Sequence, residues 1–453
     1  MAEKRGVKKK PARQSFARQN LGGRRRVREI LQNVRGMHDI LPDDQPQWEK
    51  MLRTARDVSE TYGFRKIETP IVEQLDLFTR GVGEHTDIVE KEMYILKTGG
   101  GALALRPEGT AAVARAYIQY GMDRMAQPMK LWYAGPMFRH EQPQAGRYRQ
   151  LHQWGIEIFG SDDDPIYDAQ VILAMVRFAE GVRLRNVRIE INSIGCRVCR
   201  PLYRKKLVEY YRGVIHKTPK GLCEDCKRRL AVNPLRLLDC KNEICQPHKE
   251  QAPALLNSIC AACKAHFRNV LEYLDELKLP YTLNQFLVRG LDYYNRTVFE
   301  VFAEEGTLAL AAGGRYDYLT EMIGGKPAPA VGAAAGLDRI GELLKEKNLL
   351  PPARPKNKIF LVHVGDLAKK RSLVLIEEFR AEGVRVNESF GKNSLGAQLQ
   401  SADKEQASIA LILGQKEVFE ESIIIRDMQT GAQETAPLSQ VVPLIKKKLQ
   451  EMA

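Results

Sequence analysis

The spacing of apolar residues predicts a chain that mixes helices and strands. Apolar positions recur with helical spacing over residues 48–62, after the potential capping residues Asp43 and Asp44. Residues 64–74 are typical of a strand, and Pro70 places it at a sheet edge or a bulge because proline cannot donate to the ladder. This order of elements favours an α+β fold.

A hairpin is the strongest strand signal in the chain. Residues 129–160 contain two apolar strands around a polar loop rich in arginine. Before it, residues 103–107 predict a short strand and Glu108 begins a helix, with its acid near the positive end of the helix. Further on, Gly313 to Asp317 is predicted to be a turn that leads into a helix.

The last hundred residues predict a separate βαβαβ domain. Three apolar strands, at 359–364, 384–386 and 409–413, are separated by helical stretches, and a proline-rich basic segment precedes them. The chain is therefore divided into a basic arm at 1–33, a main domain at 34–345 with an insertion at about 196–275, a linker at 346–357 and a final domain at 358–453.

Composition is ordinary for a globular protein, but the charge is uneven. The 453 residues are 44% hydrophobic and 28% charged, and no apolar run reaches transmembrane length, so no membrane association is expected. Residues 1–33 hold eleven Lys or Arg against two acids, within a net charge of +14. We expect an unstructured arm that attracts polyanions, with a targeting sequence as the alternative.

All eight cysteines lie in the predicted insertion. They form three Cys-x-x-Cys pairs and one wider pair: Cys196 with Cys199, Cys223 with Cys226, Cys260 with Cys263, and Cys240 with Cys245. Two pairs complete a tetrahedral S₄ site, so the pattern predicts structural Zn²⁺, with free thiols or disulfides as alternatives. Cysteines without a secretory signal indicate a reducing compartment, and we expect a cytoplasmic protein.

The run from Phe286 to Glu300 is the candidate for chemistry on an anion. It is predicted to carry Arg289 on an apolar, strand-like segment, followed by Tyr293 and Tyr294. The guanidinium stays protonated and matches a carboxylate or phosphate bidentately. A surface arginine is the alternative, which only the rest of the chain can exclude.

From about Val34 to the C-terminus the chain resembles histidyl-tRNA synthetases, a family of class II aminoacyl-tRNA synthetases. The resemblance rests on five motifs in order. They are Arg106-Pro-Glu-Gly-Thr110, Phe138-Arg-His-Glu141 with Gly146-Arg-Tyr-Arg-Gln150, Arg289-Gly-Leu-Asp-Tyr-Tyr294, Gly313-Gly-Arg-Tyr-Asp317 and Gly336-Leu-Asp-Arg339.

The resemblance implies both a fold and a reaction. The fold would be an antiparallel-sheet catalytic domain followed by an α/β anticodon-binding domain. The Cys-rich insertion in the catalytic domain is predicted from the residues themselves, because many members of the family lack these cysteine pairs. ATP, with Mg²⁺, would activate histidine as histidyl-adenylate, and the acyl group would pass to tRNA(His). The segment from Gly63 to Pro70 resembles the motif that builds the dimer interface of class II enzymes, so a homodimer is expected.

The same resemblance implies roles for cations that stabilise negative charge at the phosphorus. Arg139 would hold the α-phosphate, and Arg289 would grip the α-phosphate and the substrate carboxylate from the other side. Arg339 would bind the γ-phosphate, and Glu141 would help to seat the adenine.

Histidine recognition and the tRNA end are likewise implied by family position. The motif 2 loop residues Arg147 and Tyr148 would meet the tRNA acceptor end. The expected histidine-binding residues are Glu108, Thr110, Gln153, Glu157, Arg289, Tyr293, Tyr294 and Tyr316.

Two other readings of the same fold are a regulatory paralogue of ATP phosphoribosyltransferase and a non-catalytic tRNA-sensing module. The paralogue generally lacks the C-terminal domain, and sensing modules tend to lose the ATP-binding arginines, whereas this chain has both. Two positions depart from the family pattern: Tyr318 replaces the usual glycine, and Asp338 replaces the usual glutamate.

Overall fold

The computed structural model of the chain describes residues 30–99, 101–304, 306, 308–349 and 359–451. Most of the predicted basic arm, residues 1–29, lies outside the described residues, as does the predicted linker from residue 350 onward.

The first 346 residues contribute strands to two sheets. The strands are β1 (Arg65–Lys66), β2 (Val72–Gln74), β3 (Ile95–Thr98), β4 (Gly101–Leu105), β5 (Met129–Phe138), β6 (Gln150–Phe159), β7 (Arg188–Ser193), β8 (Tyr281–Leu283), β9 (Asn295–Phe302), β10 (Ala309–Arg315) and β11 (Ala330–Gly336).

Within the described ranges, the larger sheet has eight strands in the order β1-β5-β6-β11-β10-β9-β7-β8. Its six central strands pair antiparallel, and the two edge strands pair parallel to their neighbours. The second sheet has the order β2-β4-β3. The expected antiparallel-sheet domain is therefore confirmed.

Helices cover one face of the large sheet and form the insertion. They are α1 (Gln45–Thr61), α2 (Leu75–Val82), α3 (Thr110–Gln119), α4 (Ile166–Gly181), α5 (Arg200–Lys217), α6 (Glu224–Val232), α7 (Gln246–Glu250), α8 (Ala261–Glu276), α9 (Leu319–Met322) and α10 (Leu337–Glu346). Helices α1, α4, α8 and α10 bury their apolar sides with Trp154, Ile191 and Phe299 of the sheet. Helices α5 to α7 belong to the Cys-rich insertion, whose presence is confirmed. No helix in the described ranges has both the length and the apolar character needed to cross a membrane.

The C-terminal residues form a second body with its own sheet. Its elements are β12 (Ile359–His363), α11 (Asp366–Ala381), β13 (Asn387–Glu388), α12 (Leu395–Lys404), β14 (Ile409–Leu413), α13 (Gln415–Phe419), β15 (Ser422–Asp427), β16 (Gln433–Pro437) and α14 (Leu438–Glu451). The predicted βαβαβ unit is present with parallel pairing, although its middle strand lies slightly later than the apolar run. Strands β15 and β16 extend it antiparallel, and the polar β16 gave no apolar signal.

Three local predictions differ from the structure. The strand predicted over 64–74 is two short strands in different sheets, divided around Pro70. The run that carries Arg289 is irregular, and its strand begins only at Asn295. Residues 313–317 are not a turn, because β10 continues to Arg315. The glycines in that strand permit close pairing, since a Cβ on Gly313 would lie 2.3 Å from the carbonyl oxygen of Gly332.

Candidate active site

A cleft of about 790 Å³ opens on the sheet face opposite the α1 and α4 helices. Its floor is a row of paired residues across four strands: Tyr133 opposes Gly155, Gly155 opposes Ala334, and Ala334 opposes Ala312. Ala312 in turn opposes Glu300 on β9. Small side chains in the middle of the row leave room above the sheet for a ligand. In β11, Ala334 faces the cleft, whereas Ala333 and Ala335 face the core.

A fully buried carboxylate, Glu157, lies in the next residue row along the same face of the sheet. Its Oε1 accepts hydrogen bonds from the hydroxyls of Thr110 (2.7 Å) and Tyr133 (3.3 Å), and its Oε2 accepts one from Tyr316. Burial raises the pKa of Glu157 to about 8, although the three hydroxyl donors act in the opposite direction. Glu157 and Tyr316 are therefore groups beneath the cleft surface rather than part of its lining.

Glu108 lies at the N-terminus of α3 and is also buried. Its carboxylate accepts hydrogen bonds from the backbone N–H groups of Thr110 (2.7 Å) and Ala111 (2.8 Å), which are the free donors of the first helical turn. Burial raises the pKa of Glu108, and these two donors oppose that shift. The hydroxyl of Tyr293 lies 3.5 Å from the same carboxylate, so helix and tyrosine meet at one negative group.

Three tyrosines are packed together under and beside the cleft. The ring centroids of Tyr293 and Tyr294 are 4.6 Å apart, and Tyr316 lies 5.5 Å and 6.3 Å from them. Burial raises the pKa of Tyr294 to about 12, so its hydroxyl stays neutral. Nearby, Oε1 of Gln153 is buried with no hydrogen-bond partner among the described residues. An orphaned acceptor in a cleft wall is suited to a ligand that donates a hydrogen bond.

Arg289 lines the cleft and forms an ion pair with Glu300, at the far end of the floor row. Burial raises the pKa of Glu300, and the positive charge of Arg289 is the largest influence in the other direction. The guanidinium also lies 5.9 Å from the ring centroid of Tyr294. Arg289 lies on an irregular segment, and its ion pair with Glu300 of β9 fixes the position of its side chain.

Two further arginines reach the cleft from other elements. Nε of Arg139 donates to the carbonyl of Pro107 (2.8 Å), and no acceptor in the described part of the chain is within hydrogen-bond distance of its terminal nitrogens. Arg339 on α10 donates from Nε and Nη2 to the carbonyl of Gly146 (3.3 Å and 3.1 Å) and from Nη1 to that of Ala309. The cations predicted from three separate motifs are thus brought together.

The loop between β5 and β6 is tied to its surroundings by polar contacts. Arg147 lies 3.5 Å from the carboxylate of Glu141, and the hydroxyl of Tyr148 donates to Glu342. Glu141 and the two predicted loop residues, Arg147 and Tyr148, all line the cleft.

The two departures from the family pattern both have local partners. Asp338 accepts from the backbone of His152, and its other oxygen lies 3.3 Å from ring nitrogens of His152 and His38. The ring of Tyr318 stacks at 3.7 Å on the guanidinium of Arg197, which lies between two cysteines of the insertion.

One residue of the site, Tyr133, was missed from the sequence. It lines the cleft, donates to Glu157 and lies between two glycines, since a Cβ on Gly109 or Gly155 would be 2.3 Å or 2.2 Å from its ring. The hairpin register could have found it, because Tyr133 opposes Gly155, midway between Gln153 and Glu157 on the same strand face.

The eight cysteines form two groups of four. The first cluster is Cys196, Cys199, Cys260 and Cys263, and the second cluster is Cys223, Cys226, Cys240 and Cys245. In the first cluster, Sγ atoms are 3.7 Å (196 to 199), 3.9 Å (196 to 260) and 3.8 Å (199 to 263) apart. In the second, Sγ of Cys223 and Cys240 are 3.9 Å apart. A tetrahedral S₄ site with Zn–S bonds of about 2.3 Å has sulfurs about 3.8 Å apart, whereas a disulfide needs about 2.05 Å.

Comparison with known proteins gives matches along most of the chain. The family model for histidyl-tRNA synthetase matches residues 36–340, and the model for an anticodon binding domain matches residues 358–448. A histidine–tRNA ligase of Dehalococcoides mccartyi is 43% identical over 423 residues, covering 93% of this chain and all of the relative.

Solved structures agree in fold. A crystal structure of apo S. aureus histidyl-tRNA synthetase superimposes with a TM-score of 0.74 at 31% identity, covering 92% of this chain and 99% of that one. An ATP phosphoribosyltransferase regulatory subunit/histidyl-tRNA synthetase from Bacillus halodurans gives 0.61 at 22% identity, over 85% of this chain and 99% of that one, and supports the fold alone.

Proposed function

Because the chain belongs to the histidyl-tRNA synthetase family and is a class II ligase that attaches histidine to tRNA, we propose that histidyl-adenylate forms in the cleft above the floor row. The observation that carries this proposal is the convergence of Arg139, Arg289 and Arg339 on one cleft that also holds an orphaned acceptor. The reaction uses histidine, ATP with Mg²⁺, and tRNA as substrates. The match to an anticodon binding domain at 358–448 and the three arginines in the cleft favour this function over the regulatory and tRNA-sensing alternatives.

Adenylation requires the carboxylate of histidine to attack the α-phosphorus while pyrophosphate leaves. Negative charge grows on the non-bridging oxygens, and fixed cations lower that barrier. Arg139 would contact the α-phosphate, since its terminal nitrogens are not engaged by described residues. Arg289 would approach from the Glu300 side and hold the α-phosphate together with the substrate carboxylate.

Arg339 is assigned to the γ-phosphate and Glu141 to the adenine, both within the cleft lining. In this structure Arg339 is occupied by the carbonyls of Gly146 and Ala309. The γ-phosphate must therefore compete with those carbonyls for the guanidinium. Arg147 and Tyr148 are assigned to the tRNA acceptor end, on the loop that Arg339 holds.

Histidine would lie between Glu108 and the tyrosines. Glu108 would pair with the α-ammonium, and Thr110, Tyr293 and Tyr294 would complete the wall of the pocket. The free Oε1 of Gln153 would accept from a substrate N–H.

Two members of the histidine-binding set lie one layer deeper. Glu157 and Tyr316 would keep the hydroxyls of Thr110 and Tyr133 in place from beneath. A buried site of paired polar groups rejects a substrate that cannot supply them, so discrimination needs no editing step.

The cysteine clusters are assigned to structural Zn²⁺, two ions per chain. Their sulfur separations fit tetrahedral coordination, and all eight cysteines lack disulfide partners. A bound ion would cross-link segments of the insertion around its apolar core, which includes Leu207, Tyr211 and Leu237. Elemental analysis with thiol titration tests the assignment. Two Zn²⁺ per chain and protected thiols are expected, whereas eight freely reacting thiols without metal would contradict it.

Assembly, location and domain limits are also proposals. A homodimer is supported by apolar side chains exposed on and beside the small sheet, among them Ile95 and Leu96, together with Ile71 and Val72, which directly follow the segment that resembles motif 1. We place the protein in the cytoplasm and its domain limits at 34–345 and 358–453, consistent with two separate sheets.

Histidine-dependent exchange of pyrophosphate into ATP tests the cleft assignment. Arg289→Ala should lower the exchange rate roughly 10²- to 10³-fold, with histidine binding less affected. Arg188→Ala, which removes an exposed arginine paired with Glu190, is the matched control and should exchange normally. Near-normal exchange in Arg289→Ala would refute the role of that residue, and no exchange in the intact wild-type protein would refute the cleft assignment.

A further inference from the structure

The two cysteine clusters hold different parts of the molecule. The first cluster lies where the insertion leaves and rejoins the main sheet, since Gly195, before its first ligand, accepts from the backbone N–H of Arg296 (2.9 Å). The second cluster lies wholly within the insertion, and two of its cysteines, Cys223 and Cys240, line the cleft. Loss of the first would therefore loosen the base of the insertion, whereas loss of the second would alter the cleft wall.

The loop at 236–242, which carries one ligand of the second cluster, passes over the Arg289 segment. Arg236, Asp239, Lys241 and Asn242 all line the cleft. Nη1 of Arg236 would lie 3.4 Å from a Cβ placed on Gly290, the residue after Arg289. The loop is thus the wall that faces Arg289.

Lys241 is held between fixed neighbours. The residue before it is Cys240, a cluster member whose carbonyl accepts from Nε2 of Gln246 (2.8 Å). The residue after it is Asn242, whose backbone N–H donates to Sγ of Cys240 (3.4 Å). The sulfur and the carbonyl oxygen of Cys240 thus fix the backbone on both sides of Lys241.

Ion pairs tie the other side of the insertion to the cleft rim. Arg229 and Arg236 lie 2.9 Å and 3.1 Å from the same oxygen of Asp87, and Arg228 lies 2.7 Å from Glu90. Asp87 itself lines the cleft. The loop is therefore restrained by the cysteine cluster at one end and by acidic rim residues at the other.

Lys241 is a cation without an internal partner. It is exposed, and within the described residues it makes no ion pair, whereas Arg236 is paired twice. Burial raises the pKa of Glu300, and the charges of Arg289 and, more weakly, Lys241 oppose the shift, so the lysine lies within electrostatic reach of that pair. Lys241 is therefore suited to bind an anionic group of a ligand in the cleft.

We propose that the second cysteine cluster, with its metal bound, is a positioning device that presents Lys241 to the phosphate groups of MgATP. The inference rests on the proposed adenylation cleft. It makes Lys241 a further cation for the nucleotide and makes metal occupancy of this one cluster a determinant of nucleotide affinity. The first cluster has no such link, because it lies at the base of the insertion.

Variants of Lys241 test the cation directly in the full-length protein. Lys241→Ala should keep two Zn²⁺ per chain and raise the KM for MgATP in histidine-dependent exchange roughly tenfold, the effect of losing one charge-assisted hydrogen bond. Lys241→Arg should restore most of the affinity, because it restores the charge. Lys220→Ala removes another exposed lysine of the insertion, outside the cleft, and should leave KM unchanged.

Variants of the cysteines test the link to metal. Cys240→Ser should lower the metal content from two ions to one, raise the KM for MgATP as Lys241→Ala does, and make the insertion more sensitive to limited proteolysis. Histidine affinity, measured by calorimetry, should stay within about twofold in both variants, because Lys241 is assigned to the phosphates of MgATP and not to histidine.

Several outcomes would overturn the inference. An unchanged KM for MgATP in Lys241→Ala would do so, as would a normal KM in Cys240→Ser that has lost one metal ion. A Lys241→Ala protein with normal exchange but weaker tRNA aminoacylation would assign the lysine to tRNA phosphates instead. If the wild-type protein performs no exchange at all, the proposed cleft function fails, which is a separate result.

Discussion

At the scale of single residues, Glu157 shows how burial sets protonation. Its carboxylate has no exposed surface, and its pKa is raised from 4.5 to about 8 despite three hydroxyl donors. The folded state therefore holds this proton more tightly than the unfolded state does. Between about pH 4.5 and pH 8 the unfolded chain has released the proton and the folded chain has not, so stability falls as the pH rises through that window.

Substitution of Glu157 should change the pH dependence of unfolding. Glu157→Gln removes the titrating group while keeping a side chain of the same size, so the decline in the unfolding midpoint between pH 6 and pH 8 should be smaller than in the wild type. Thermal unfolding followed by circular dichroism measures it. Glu180→Gln, at an exposed position of α4, should leave the wild-type slope intact. Equal slopes in wild type and Glu157→Gln would contradict the assignment of the shift to this residue.

At the scale of elements, the β5–β6 hairpin carries more of the site than any other pair of strands. It brings Tyr133, Gln153 and Glu157 to one region, and it is possible only because Gly155 has no side chain opposite the Tyr133 ring. The nearest ring atom would be 2.2 Å from an added Cβ. The position of the Tyr133 ring in the site therefore depends on the absence of a side chain at Gly155.

We predict that Gly155→Ala displaces Tyr133, costs roughly 1–3 kcal/mol of stability through overpacking and weakens histidine binding. Calorimetry and denaturant unfolding measure the two effects. Gly213→Ala on α5 is the control, because an added Cβ there meets nothing within 4 Å. It should be neutral or slightly stabilising, since alanine favours a helix more than glycine does. Wild-type histidine affinity in Gly155→Ala would show that Tyr133 is not constrained as described.

Elements differ in how far the sequence determines them. Alternating apolar residues located the hairpin, because Trp154, Ile156 and Ile158 on β6 all face the apolar core and polar or glycine residues stand between them. The prediction of a strand at Arg289 was wrong. Leu287 and Val288 are buried in the core although the strand begins only at Asn295, and propensity cannot distinguish such burial from strand pairing. The glycines of β10 are typical of a turn in sequence, but in the structure they permit close pairing with the neighbouring strand. That requirement cannot be seen without knowing which strand is the neighbour.

At the scale of the whole molecule, long-range pairing is what the sequence leaves open. Four Cys pairs allow several combinations. The structure joins the pair after β7 to the pair at the start of α8, because those two element ends meet at the base of the insertion. The motifs predicted which residues surround the cleft, but Tyr133 and Glu300 emerge only from strand register and the ion pair with Arg289.

The small β2-β4-β3 sheet gives a prediction about assembly. Ile95 and Leu96 are 48% and 40% exposed there on opposite faces of β3, and Leu96 shares its face with Val72, which is 40% exposed. Exposed apolar residues of this kind are suited to a contact with a second copy. Leu96→Glu should convert a dimer into a monomer at micromolar concentration, as measured by sedimentation equilibrium. Leu373→Glu, at an exposed apolar position of α11, should remain dimeric. A wild-type protein that sediments as a monomer would exclude the homodimer.

The contact between Arg339 and the backbone of the β5–β6 loop has a consequence for the timing of catalysis. One guanidinium cannot serve the Gly146 carbonyl and a terminal phosphate with the same donors. Binding of ATP would then break the contact between Arg339 and Gly146, and the loop that carries Arg147 and Tyr148 would be held by its remaining contacts, such as the hydrogen bond from Tyr148 to Glu342. The loop would thus be freer to meet the tRNA acceptor end. The hydrogen bonds of Arg339 would therefore set the order of substrate binding, with ATP binding before the tRNA acceptor end docks productively.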